Sequence, residues 1–182
     1  MARRQQIAES SCSRGDGRMT NRLGLAVIPG AGWTASDIRT IAREAEDAGF
    51  DAIFTTEVNN DALATAQLMG SATRHIRVGT WIANIYLRHP YVCAQGAALI
   101  ADATGGRFIL GIGVSHQPVN DSLGIPMVDP VEDIHRYAVA VRSWLNGEGA
   151  GDAPTAAALT RSSPAVYCGA DFAHCTNGRR DW

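Results

Sequence analysis

The stretch richest in possible chemistry runs from Thr104 to His116, Thr-Gly-Gly-Arg-Phe-Ile-Leu-Gly-Ile-Gly-Val-Ser-His. Its Gly-Gly pair stops a helix, and Phe108–Ile112 is an apolar run of strand length. Gly113-Val114-Ser115-His116 then puts a hydroxyl and an imidazole at the strand's C-terminal tip. In a parallel α/β protein ligands bind at that tip, because loop amides and helix N-termini converge there. An imidazole titrates near neutrality and can pass a proton in such a place. An acid, Glu57, stands at the end of an earlier apolar run, Asp51–Thr56. The spacing Gly111-x-Gly113-x-x-His116 lacks the third glycine of a dinucleotide fingerprint and follows the fourth strand, not the first, which argues against that cofactor class.

Composition narrows the partners. The chain has 182 residues, 46% apolar and 19% charged, enough for one domain with a real core. All 16 basic residues are arginine, and the formal net charge of −2 gives no reason to expect nucleic acid or an anionic membrane. No apolar run is long enough to span a bilayer. The four cysteines, Cys12, Cys93, Cys168 and Cys175, show no metal-ligand spacing. No metal centre is therefore expected, and Cys93, inside an expected helix, reads as a buried free thiol in a reducing, cytoplasmic setting.

The elements that must position these residues follow from periodicity and punctuation. Residues 1–22 are polar and aperiodic and read as a disordered leader. Leu23–Ile28 is a first strand. Thr34 with Asp37 forms a capping box for a helix whose apolar side is Ile38, Ile41, Ala42, Ala45 and Ala48, stopped by Gly49. Asp51–Thr56 is the second strand, and Asp61 opens a helix to about Thr73. Ile76–Ile82 is the third strand, followed by a loop through Asn84 and Arg88. Pro90 starts a helix that runs to Ala103. Phe108–Ile112 is the fourth strand, Gln117–Asp129 a loop, and Asp129-Pro130 opens a helix in which Tyr137 and Trp144 belong to the core. Alternating strands and helices require parallel pairing through right-handed crossovers, which suits an open doubly wound sheet or a (β/α)₈ barrel.

The ordered motifs resemble those of the bacterial luciferase-like superfamily of flavin- and deazaflavin-dependent oxidoreductases. They are Ala-Glu-Asp-Ala-Gly-Phe-Asp (45–51), Ala72-Thr73-Arg74-His75-Ile76-Arg77-Val78-Gly79-Thr80, Arg88-His89-Pro90, and Gly105-Gly106-Arg107-Phe108-Ile109-Leu110-Gly111-Ile112-Gly113. Asn59-Asn60-Asp61, Asn84-Ile85-Tyr86-Leu87-Arg88 and Ser122-Leu123-Gly124-Ile125 are most similar to the branch using the 5-deazaflavin coenzyme F420, which includes methylenetetrahydromethanopterin reductase. The resemblance covers about Leu23 to Gly147.

It implies an α/β TIM barrel of (β/α)₈ type, with the chain supplying the first four βα units as a half barrel. It also implies coenzyme F420 as cofactor, with FMN the alternative. A non-prolyl cis bulge at Trp81-Ile82 would lie behind the cofactor's ring. Glu57 would serve as a catalytic acid or base, or bond the ring's pyrimidine edge, although Val58 replaces the histidine that relatives carry next. Asn84, Gly113, Val114 and Ser115 would complete the cofactor contacts, and His116 would be a catalytic proton donor beside a hydride-transfer centre. The implied reaction is hydride transfer between reduced F420 and a small organic substrate, or monooxygenation with FMN. The other reading is a non-catalytic remnant or weak flavin binder, because a full barrel needs roughly 250 residues. Residues 148–182 read as an irregular, truncated or frameshifted tail. The first and fourth strands are then expected to be unpaired edges, so that a homo-oligomer or another chain must complete the barrel.

Overall fold

Local side-chain chemistry sets most element boundaries in the computed structural model, which describes residues 23–30, 32–148 and the backbone of Ala165–Cys168. The expected leader, Cys12 and Cys175 lie outside the described residues. Strand β1 (Gly24–Val27) leads to helix α1 (Ala35–Asp47), capped by Thr34 and Asp37 as their spacing required. The Thr34 hydroxyl accepts from Asp37 N at 3.2 Å, and the Asp37 carboxylate accepts from Thr34 N at 2.7 Å. The bonds that the Thr34 N–H and, at 2.7 Å, the Thr34 hydroxyl donate to it hold the Asp37 carboxyl below its usual range. Gly49, at φ +82°, turns the chain into β2 (Ala52–Thr55). Asp61 caps α2 (Ala62–Ala72), and β3 (Arg77–Thr80) follows.

The third strand departs from the expected single run. It is interrupted after Thr80 and resumes as β4 (Ala83–Asn84), and a 3₁₀ turn at Ile85–Leu87 replaces the expected loop. Helix α3 (Pro90–Ala103) begins at His89 and Pro90 and gives way to β5 (Phe108–Gly113) through Gly105 and Gly106, both at positive φ. The expected loop 117–129 contains a short helix, α4 (Gln117–Ser122), before α5 (Pro130–Leu145).

The sheet is parallel throughout, in the order β1-β2-β3-β5, with β4 on the same side of β5 as β3. A further strand, β6 (Ala165–Cys168), pairs in parallel with the other side of β5. Two expectations are thereby corrected. The tail is not irregular at 165–168, and the fourth βα strand is not an edge. Four residues with no helical pattern after them carry little sequence signal, whereas the free side of β5 pairs with their backbone.

Helices cover one face of this sheet. Ile53, Val78, Phe108, Leu110 and Ile112 join Ala66, Met69, Ala94, Ala97, Ala98, Ala101 and Val141 in a continuous core. Alanine on α2 and α3 brings the helices close to the strands. Tyr137 is buried and Trp144 packs edge-on against Tyr91 at 4.8 Å, so both belong to the core as expected. Cys93 is fully buried and free. This architecture is part of a (β/α)₈ barrel: successive parallel strands, each followed by an outer helix.

Candidate cofactor site at the strand tips

The break in the third strand organises the site. Val78 and Gly79 pair with Phe108 and Ile109, whereas Ala83 and Asn84 pair with Ile112 and Gly113. Three residues on the third strand therefore face two on β5, which is a β-bulge. Thr80 repairs the ladder there: its hydroxyl donates to Gly111 O at 2.7 Å and accepts from Gly111 N at 3.0 Å. A Cβ on Gly111 would collide with the Thr80 carbonyl oxygen, and one on Gly113 would lie 2.8 Å from Ile82 Cγ1. The two glycines are thus required by the bulge itself. The peptide bond between Trp81 and Ile82 is cis, as the resemblance implied.

Glu57 is not exposed at its strand end. Its side chain is 4% accessible and Arg88's is 10%. Oε2 accepts from Arg88 Nη1 at 2.8 Å and from Asn84 N at 2.5 Å. Oε1 accepts from Arg88 Nη2 and, at 3.3 Å, from Ala62 N at the start of α2. Burial pushes the Arg88 guanidinium down, but its bonds and charge pairing with Glu57, helped by Asp61, more than offset that and hold it above its usual range. A carboxylate with four donors around it has no lone pair left for a substrate proton or a ring edge. Its geometry is that of an anchor between β2, β4 and the start of α3.

Asn84 is equally committed. It is 2% exposed, and its Oδ1 accepts from Tyr86 N at 3.1 Å while its Nδ2 donates to Asn120 Oδ1 at 2.9 Å. Asn120, fully buried, donates from Nδ2 to Val114 O at 2.8 Å. The next residue, Ser115, sits at φ +62°, a region that side chains other than glycine's rarely occupy. His116 is exposed and forms the N-cap of α4, with its carbonyl accepting from Val119 N and Asn120 N, both at 3.0 Å.

These contacts bring the ends of β2, β4 and β5 to one rim. The sheet face opposite the helices carries Gly24, Ala26, Phe54, Gly79 and Ile109 in paired register. Phe54 lies over Gly24 and Gly79, and its ring meets Trp81 edge-on at 6.2 Å. Trp81 remains 47% exposed at the rim. Thr56, just past the end of β2, has a buried hydroxyl with no hydrogen-bond partner.

Of the expected site residues, Trp81, Ile82, Gly113, Val114, Ser115 and His116 do gather at this rim. Glu57 and Asn84 stand just behind it, consumed by internal bonds. Sequence reasoning missed Asn120 and Thr80. An asparagine inside a loop carries no signal of burial, and a threonine inside a strand reads as an ordinary β-former.

A parallel sheet with outer helices and a bulge at its C-terminal rim belongs to the (β/α)₈ barrel class, and comparison assigns the family. The family profile for luciferase-like monooxygenases matches residues 19–171, and the chain belongs to that family. The match runs past Gly147 and includes β6. A 5,10-methylenetetrahydromethanopterin reductase of Methanolobus tindarius is 32% identical over 109 residues, which are 59% of this chain and 33% of that one. The structure of coenzyme F420 dependent tetrahydromethanopterin reductase from Methanopyrus kandleri superposes with a TM-score of 0.64 at 25% identity, covering 69% of this chain and 40% of that one. An F420-dependent secondary alcohol dehydrogenase in complex with an F420-acetone adduct shares the fold, with a TM-score of 0.63 at 17% identity over 81% of this chain and 51% of its own. The chain spans about a third to a half of the length of these relatives.

Proposed function

We propose that the chain carries the ring-binding rim of an F420-dependent oxidoreductase that transfers a hydride to or from a small organic substrate. The observation that carries this reading is the bulged third strand, with Trp81-Ile82 set between the tips of β2 and β5. The residues fit a flat heterocycle. The sheet face opposite the helices carries Gly24, Ala26 and Gly79 beside the flat Phe54 ring and Ile109, and the Thr56 hydroxyl just past β2 has no hydrogen-bond partner. In this reading Trp81 and Ile82 support the ring from behind, and the backbone at Gly113, Val114 and Ser115 takes its polar edge. When bound, deazaflavin supplies the hydride chemistry, whereas FMN at the same place opens oxygen chemistry. His116, exposed at the start of α4, is the group placed to hold or deliver a proton. Glu57 holds the rim in shape and does not exchange protons with substrate.

Titrating the full chain with F420 and separately with FMN, followed by the absorption and fluorescence of each cofactor, tests the assignment. Saturable binding of F420, weakened at least tenfold by Trp81→Ala, is expected. Binding of FMN alone would make the monooxygenase alternative correct, and binding of neither would remove the proposal.

A further inference from the structure

We infer that Asn120 is a positioning residue that locks the cofactor-facing tip of β5 to the bulge of the third strand. Its one amide links Asn84, far upstream in sequence, to the nearby Val114 and Met127, whose sulfur lies 2.7 Å from Nδ2. It accepts from Asn84, which is itself fixed by Glu57, and it donates to Val114 O, immediately before the left-handed Ser115. The same residue's backbone N–H, with that of Val119, holds the His116 carbonyl in the first turn of α4. The rim backbone at 114–116 thus has its placement set by a side chain that never reaches the rim surface.

The physical case rests on burial and saturation. Asn120 is fully buried, and an apolar residue of similar volume would leave Asn84 Nδ2 and Val114 O without the partner it supplies. An amide there contributes directionality, because its oxygen is tied to the Asn84 side chain and its nitrogen to the Val114 carbonyl. Such a link favours one register of the tip over others that would bury as much apolar surface. This inference rests on the reading of the rim as the ring site, but its first test needs no cofactor.

Amide hydrogen exchange on the full chain compares Asn120→Ala and Asn120→Asp with the natural sequence. Asn120→Ala should lower protection at least tenfold at Val119 and residue 120 and at Asn84 and Tyr86, while the β1–β2 amides of Asp51 and Thr56 keep theirs. Asn120→Asp, which keeps the acceptor for Asn84 but loses the donor to Val114, should release only the 119–120 amides. Loss of protection spread evenly over the chain, or none at the tip, would overturn the inference. Should neither variant fold, the natural chain still decides: amides at 84–86 and 119–120 must open together, with matched dependence on urea, and independent opening overturns the lock. Where F420 binds the natural chain, Asn120→Ala should raise its Kd about tenfold. If F420 does not bind, the proposed function fails while the exchange pattern still judges Asn120.

Discussion

At the N-terminal end of the sheet, an acid and a guanidinium each bond to backbone; at the C-terminal end, another such pair bond chiefly to each other. Glu46 accepts from the N–H groups of Arg74, His75 and Ile76. Arg107 donates to the carbonyls of Gly70, Thr73 and Ile76 and to the Thr73 hydroxyl, closing the C-terminus of α2. Both side chains tie one turn, the entry to β3, and need no charged partner. Glu57 and Arg88 instead face each other in the interior, with Asn84 and the start of α2 completing the set. The lower pair secures a connection that any barrel of this kind needs. The upper pair fixes where the bulge stands relative to the tip of β2. The arrangement that exposes less charge to water is also the one where removing a single partner does most damage.

That contrast can be broken in order. Glu57→Ala should cost about 3–5 kcal/mol in urea unfolding, because it leaves the Arg88 guanidinium buried and uncompensated. Glu57→Gln also removes the charge and turns an amide NH2 towards N–H donors, so it should cost nearly as much; a clearly smaller loss would show that charge matters little there. Arg107→Met should cost about 2–3 kcal/mol by freeing the α2 carbonyls, yet leave cofactor affinity unchanged. A fall in affinity would mean that the two ends are coupled. Gly79→Ala should cost about 1–3 kcal/mol, because its Cβ would lie 2.5 Å from Ile109 O and 2.9 Å from the Phe54 ring. Differential scanning calorimetry suffices to read it.

The smallest effect is expected at Glu46 and is best seen against pH. Burial works against its ionised form, but the amides of Ile76, His75 and Arg74 together outweigh it, so the carboxyl is held below its usual value of 4.5. A carboxyl depressed in the folded state adds stability that is fully present above that value and is lost as pH falls through the folded one. Glu46→Gln should therefore flatten the acid limb of stability below about pH 4.5 and cost about 1 kcal/mol at neutrality. An unchanged acid limb would contradict the assigned bonds.

What was legible in the sequence was what is local. Thr34 with Asp37, Pro90 after His89, and Gly49 each decide a helix end within a few residues, and each was placed correctly. The four βα units followed from alternating periodicity. The bulge was legible only through resemblance, since nothing in Thr80-Trp81-Ile82 alone interrupts a strand. The internal partners of Glu57 and Asn84 are not legible because they lie far along the chain, Arg88 and Asn84 for the first and Asn120 for the second. An acid at a strand tip has the same sequence appearance whether it meets a ligand or a guanidinium. Only the fold decides which arrives first.

The extra residue in the third strand has an arithmetical outcome. Val78 and Thr80 point to the helices before it and Ala83 does so after it, so even numbers give way to odd on the core side. The length of this segment, and not only its side chains, therefore sets the bulge. Deleting one residue between Gly79 and Ala83 would leave two residues facing two on β5, so that Ala83 and Asn84 could keep Ile112 and Gly113 as partners while the bulge itself would vanish.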